Sequence, residues 1–219
     1  MKLFEQLRHH RITFLVAVSL IFWIPVVALA KIAGEIVEKE PIWLDTAILN
    51  WLHAHANGFY DLFFRVVTEL GGIVSVVVIT TLLIGYFWLY KQRRRFALLM
   101  AFGVGGAAAA NVALKALFQR ERPSLWDPSV VETSFSFPSG HAMASAALVA
   151  CLVVILWRTR YRWVAVVAGG VIVLLVGISR MYLGVHYPTD VVAGWCASIA
   201  WVTLVTVLLR WLSRRLKWT

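Results

Sequence analysis

The run Trp163–Met181, WVAVVAGGVIVLLVGISRM, carries a single charged side chain, Arg180, one position from its end. At about 1.5 Å per residue a helix of this length reaches most of the way across a ~30 Å hydrocarbon core, so the stretch reads as a membrane span. Similar runs lie near residues 12–32, 71–90, 96–118, 141–157 and 190–211. The predicted fold is therefore all-α, a six-transmembrane-helix bundle. The chain has 219 residues, of which 61% are hydrophobic and 15% charged, and this excludes an ordinary soluble domain. No internal repeat, low-complexity tract or long linker interrupts it, so a single domain over residues 1–219 is expected.

The first run has a second reading. A basic start followed by an apolar stretch and Ala28-Leu29-Ala30 resembles a cleavable signal. Its length exceeds the usual apolar region of about 7–15 residues, which favours a retained helix.

Orientation follows from the cations, because short loops rich in Lys and Arg stay cytoplasmic. Lys2, Arg8 and Arg11 precede the first span, and Lys91, Arg93, Arg94 and Arg95 separate the second and third. Arg158, Arg160 and Arg162 separate the fourth and fifth, while Arg210, Arg214, Arg215 and Lys217 close the chain. Both termini are expected in the cytoplasm, and every acidic residue except Glu5 falls in or beside the opposite loops. The net charge of +10 is then a topology signal and not a nucleic-acid footprint, since the clusters sit where anionic headgroups lie. Cys151 and Cys196 fall inside spans without metal or disulfide spacing and read as small core residues. Trp23, Trp43, Trp51, Trp88, Trp157, Trp163, Trp211 and Trp218 mostly sit near the ends of apolar runs, as interfacial anchors do.

Between the first two spans, residues 33–69 read as a loop. Within it Ile42, Leu44, Ile48, Leu49, Trp51 and Leu52 alternate with Asp45, Asn50 and His53 at helical spacing, which predicts an extracytoplasmic amphipathic helix.

Three polar stretches share that side of the membrane: Lys115–Pro123 (KALFQRERP), Pro138–His141 (PSGH) and Ser179–Asp190 (SRMYLGVHYPTD). Lys115 and Arg122 are spaced by two turns, so on a continuing helix ended by Pro123 both would face one way. Arg120 and Glu121 would then point elsewhere and be solvated. An intramembrane lysine is costly unless it faces a polar cavity or snorkels out, and the paired Arg122 favours an anion site. Pro138-Ser139-Gly140-His141 fits a capped helix start, with Ser139 as N-cap, Gly140 allowing close backbone approach and His141 as a titratable donor in the first turn. Arg180 closes the fifth span, and His186 precedes Pro188, a good first residue for the sixth. Asp190 in that first turn can meet one imidazole nitrogen of His186 and aim the other at the pocket. Asp127 and Glu132 lack ligand-like grouping and read as solvated, and no metal or cofactor is called for.

The spacing KxxxxxxRP, PSGH and SRxxxxxHxxxD resembles the three-part signature of the type 2 phosphatidic acid phosphatases, membrane lipid phosphatases whose active site is related to that of vanadium haloperoxidases. The resemblance implies that His186 attacks phosphorus to form a phosphohistidine, with Asp190 orienting it and His141 protonating the leaving oxygen. It implies that Lys115, Arg122, Ser139, Gly140 and Arg180 hold the phosphate. The substrate implied is a membrane lipid phosphate or diphosphate, with undecaprenyl diphosphate favoured over phosphatidylglycerophosphate or phosphatidic acid. The enzyme is then expected in a bacterial inner membrane, its site facing the periplasm or exterior. A lipid-to-lipid phosphotransferase would use the same chemistry. A transporter would need charges on several helices or repeated halves, and neither is present.

Overall fold

A single apolar run satisfies its backbone in lipid by forming a helix, and the computed structural model of the chain has only helices as regular elements among the described residues. It describes residues 2–38, 42–126, 130 and 132–215. Asp127, Lys217 and Trp218 lie outside the described residues, as do the side chains of Lys2, Glu5, Arg8 and Arg11. The described elements are α1 (Lys2–Val37), α2 (Trp43–Ala54), α3 (Gly58–Leu70), α4 (Ile73–Gly85) with a π-helical turn at Tyr86–Tyr90, α5 (Arg94–Phe118), α6 (Gly140–Leu156), α7 (Arg162–Tyr182) and α8 (Pro188–Arg215). No strand occurs among the described residues.

Five helical stretches are long and apolar enough to cross a membrane: Leu15–Val37, Gly58–Tyr90, Arg94–Phe118, Arg162–Tyr182 and Pro188–Arg215. The sixth expected run forms α6, an apolar helix of 17 residues. α6 and α8 are the centre of the bundle, flanked by α5 and α7, while α1 packs outside against α8. Met100, Val104 and Ala107 of α5, Met143, Ala147 and Cys151 of α6, and Val202 and Val205 of α8 form the main buried cluster. Cys151 is a small core residue as expected, and Cys196 is half-buried. Leu15, Leu20, Trp23, Ile24 and Val27 of α1 are exposed, as lipid-facing side chains are.

Two glycines set how closely the helices approach at the end that carries the motifs. A Cβ on Gly194 of α8 would stand 3.0 Å from the Ser139 carbonyl oxygen, so α8 lies directly against the start of α6. A Cβ on Gly71 would meet a Val176 methyl at 2.4 Å and the His141 carbonyl at 3.2 Å, which draws the α3–α4 junction onto the same point. Small residues at helix contacts are what membrane bundles use to pack backbones tightly.

The connection between the first two spans is not a loop. α2 forms where the helical spacing predicts it, but α3 fills residues expected to be irregular and runs on through Gly71-Gly72 into α4. Asn57 starts α3 by accepting the backbone N–H groups of Phe59 and Tyr60, each at 3.1 Å. Against α7, the Tyr182 hydroxyl donates to Asp61 at 2.6 Å and the Tyr182 and Phe64 rings lie 4.6 Å apart. α2 buries Leu49 and Asp45 and leaves Trp43 and Trp51 exposed.

Candidate active site

The first motif does not continue as helix. α5 ends at Phe118, and Gln119 turns left-handed at φ 46°, its N–H reaching the Lys115 carbonyl at 3.0 Å. Arg122 therefore sits on non-helical chain. Lys115 and Arg122 still converge, through a shared partner that the spacing argument did not anticipate. Lys115 Nζ donates to Ser134 Oγ at 2.8 Å and to the Phe135 carbonyl at 2.6 Å. Arg122 Nε donates to the Ser134 carbonyl at 2.8 Å, and its NH2 reaches Ser134 Oγ at 3.2 Å. A cavity of about 540 Å³ opens here, lined by Lys115, Arg120, Arg122, Glu132, Ser134 and Phe135 among others.

The second motif starts α6 as predicted. Asn111 of α5 steadies the turn, its Nδ2 donating to the Pro138 carbonyl at 3.0 Å. Gly140 is the first helical residue and has Asn111 Oδ1 3.2 Å from where its Cβ would be. Ser139 is the N-cap residue, yet its hydroxyl makes no capping bond and is buried without a partner. Its backbone N–H donates instead to the Asp190 carbonyl at 3.0 Å, joining the second motif to the third. His141, in the first turn, lies within electrostatic reach of Arg180, Glu132, His186 and Lys115.

In the third motif Arg180 is 1% exposed. Its NH1 donates to Thr68 Oγ1 of α3 at 3.0 Å, its NH2 pairs with Glu132, and its Nε is buried with no partner. His186 is also buried. Its Nδ1 lies 3.5 Å from Asp190 Oδ2 and 3.3 Å from Ser136 Oγ, while Nε2 meets Arg122 NH1 at 3.3 Å. Burial pushes the His186 imidazole down to about 4 despite the opposing pull of Asp190, so the ring is neutral near pH 7, with Nε2 facing the Arg122 guanidinium. Asp190 Oδ2 accepts from Ser136 Oγ and, at 2.9 Å, from the Tyr187 N–H.

Two residues expected to be solvated are bound into this network. Glu132 lies between Arg180 and Arg122, 3.6 Å from the latter, and although burial alone would raise its carboxyl, the two guanidinium groups hold it below the usual range. Arg120 places NH1 2.6 Å from Asp190 Oδ1 and NH2 2.8 Å from Asp45 Oδ2. Burial opposes its charge, but Asp190 and Asp45 outweigh that and raise its pKa. Ser136, Asn111, Thr68 and Asp45 escaped the sequence reading. Asp45 left one signal: it lies four residues before Leu49, on the buried face of α2, where an unpaired carboxylate would be costly. Among the described residues no group of three or more His, Cys, Asp or Glu comes together as a metal site would require.

The structure thus brings Lys115, Arg122, Ser139, Gly140, His141, Arg180, His186 and Asp190 together at one end of the bundle. Fold and site describe a membrane protein built to handle phosphate, and comparison with known proteins narrows the class. Residues 96–214 match the PAP2 superfamily. Phosphatidylglycerophosphatase B of Bacillus subtilis is 31% identical over 183 residues, covering 79% of this chain and 81% of that protein. An undecaprenyl-diphosphatase of Sulfolobus acidocaldarius is 39% identical over 75 residues, 34% of each chain. The crystal structure of a transmembrane PAP2-type phosphatidylglycerolphosphate phosphatase from Bacillus subtilis aligns with a TM-score of 0.72 at 28% identity, over 90% of this chain and 96% of that one. The chain belongs to the PAP2 superfamily, and it is a lipid phosphatase.

Proposed function

We propose that the protein hydrolyses the terminal phosphate of a membrane lipid phosphate or diphosphate through a phosphohistidine on His186. One observation carries this reading: two donors of the motif residues, Ser139 Oγ and Arg180 Nε, are buried without partners, and Arg180 lies within electrostatic reach of both His141 and His186. A buried unsatisfied donor costs about 1–3 kcal/mol, and a phosphate oxygen at each would relieve that cost.

In the first step His186 Nε2 attacks phosphorus while the bond to the leaving oxygen breaks. His141 takes up a proton as the anionic phosphate binds and gives it to that oxygen, and Asp190 with Ser136 holds the Nδ1 side of the nucleophile. Lys115, Arg122 and Arg180 offset charge on the equatorial oxygens. A water then attacks phosphorus as its bond to His186 Nε2 breaks, His141 takes the water's proton, and phosphate leaves. The residues provide this charge stabilisation without a metal.

The topology proposed with this function has six spans, α6 being the sixth, both termini in the cytoplasm and the site at the outer face, with α2 lying at that surface. The cation distribution and the exposed Trp43 and Trp51 support it. For substrate we favour phosphatidylglycerophosphate over the undecaprenyl diphosphate favoured from sequence, and the extent of similarity to phosphatidylglycerophosphatase B of Bacillus subtilis supports that choice. The test is phosphate release by detergent-purified protein, with EDTA present, from phosphatidylglycerophosphate, undecaprenyl diphosphate and phosphatidic acid in parallel. His186-dependent release from at least one supports the reading. Release that EDTA abolishes, or that survives His186→Ala, overturns it.

A further inference from the structure

We propose that Arg120 is a positioning residue for His186, acting through Asp190, and that Asp45 on α2 holds it in place. The inference rests on His186 being the nucleophile. Asp190 divides its two oxygens: Oδ2 faces Ser136, the Tyr187 N–H and His186, whereas Oδ1 accepts Arg120 NH1. Arg120 is therefore the group that fixes the rotation of the carboxylate from its far side. Its own placement is fixed in turn. NH2 bonds Asp45 Oδ2 at 2.8 Å, NH1 also reaches Thr189 Oγ1 at 2.8 Å, and the guanidinium lies 4.1 Å from the centre of the Tyr187 ring. Asp45 is locked by the residue next to Asp190: it accepts the Thr189 N–H at 2.9 Å and the Thr189 hydroxyl at 2.6 Å.

Charge makes the same point as geometry. Asp45 and Asp190 are 2% and 0% exposed, and Arg120 is the cation that bonds both. Remove it and two buried carboxylates share a site with no bonded cation between them, a condition relieved by taking up a proton or rotating apart. A proton on Asp190, or a rotation of its carboxylate, withdraws it from His186. A planar fork reaches two carboxylates at once, and a lysine ammonium does not reproduce that geometry. Arg120 lines the cavity near Lys115 and Arg122, but both of its terminal nitrogens are already bonded to carboxylates, which separates it from the arginines assigned to phosphate.

The experiment compares the parent protein with Arg120→Gln, Arg120→Lys, the double variant Asp45→Asn/Arg120→Gln, Arg122→Gln and His186→Ala. For each, kcat, KM and the inhibition constant for inorganic phosphate are measured in detergent. Arg120→Gln is expected to lower kcat about 10- to 100-fold, the range for partners that orient a catalytic side chain, with KM and the phosphate constant within about threefold of the parent. Arg120→Lys is expected to fall between them. The double variant is expected to regain about tenfold in kcat over Arg120→Gln, because the excess buried charge is gone. Arg122→Gln is expected to weaken phosphate inhibition instead. A kcat within about twofold of the parent in Arg120→Gln, or a phosphate constant that rises in step with the loss of kcat, overturns the proposal. If Arg120→Gln does not fold, the double variant and Arg120→Lys decide: phosphate inhibition weakened as in Arg122→Gln overturns it, and a kcat loss with phosphate inhibition intact supports it. A fully active His186→Ala overturns the nucleophile assignment, and this inference with it.

Discussion

His186 concentrates the residue-scale questions, because its burial, its neutral state and its contact with Arg122 all bear on one nitrogen. Its pKa of about 4 lies below the ordinary 6.5, so unfolding binds a proton that the folded protein refuses. The stability it contributes is complete above about pH 6.5 and is lost as pH falls towards 4. Nitrogen-15 NMR of histidine-labelled, phosphate-free protein should show His186 neutral at pH 5.5, where an exposed histidine is mostly protonated. A charged ring there would contradict the buried placement. His141→Ala should lower kcat strongly for an alkyl phosphate and much less for p-nitrophenyl phosphate, whose leaving group departs without a proton. Equal losses on both would remove the general-acid role. Arg180→Lys keeps the charge but loses the fork to Thr68 and Glu132, and kcat/KM should fall on the order of 100-fold. At this scale the sequence was informative where chemistry is packed into short spacings, as in PSGH or between His186 and Asp190. It was silent on the pairing of Asp45 with Arg120, which meet across 75 residues, because local pattern carries no trace of such a contact.

Among the elements, the contact of α8 with the start of α6 governs whether the motifs meet. Gly194→Val should force α8 away from the Ser139 carbonyl, lowering the thermal midpoint and reducing kcat together, with a stability loss of about 1–3 kcal/mol. Gly170→Val in α7 is the control, since a Cβ there meets nothing within 4 Å, and it should leave both nearly unchanged. Indistinguishable behaviour of the two variants would mean that this approach does not position the site. Helix existence was legible from apolar runs, whereas ends were not. α5 stops at Phe118 because Gln119 adopts a left-handed conformation, and nothing in LFQRERP announces that break before Pro123. α3 was hidden for a different reason: Asp61, Arg65 and Glu69 made a helical segment look like loop, although Asp61 is engaged by Tyr182.

On the scale of the whole molecule, the proposed topology has a direct check. Cysteines introduced at Ser124 and at Arg160, in a background lacking Cys151 and Cys196, should label from opposite sides of the membrane with an impermeant maleimide. Ser124 should react from outside. Labelling of both from one side would invert or break the six-span arrangement. The basic clusters are the sequence feature that suggests this orientation, because positive loops obey a rule independent of fold. The depth at which each helix sits was not readable, since it depends on close approaches such as those at Gly71 and Gly194.

The backbone bond from the Ser139 N–H to the Asp190 carbonyl has an effect on how substrates are chosen. Under the proposed roles it ties the phosphate cradle at the start of α6 to the first turn of α8, beside the proposed nucleophile, as one jig. A lipid must deliver its phosphorus to a fixed point, and the jig makes no adjustment for a bulkier or slimmer headgroup. Selection among lipids is then a matter of what fits past the cavity lining, so changes of substrate preference should map to lining positions such as Val112, Ala116 and Thr133 while the jig itself stays constant.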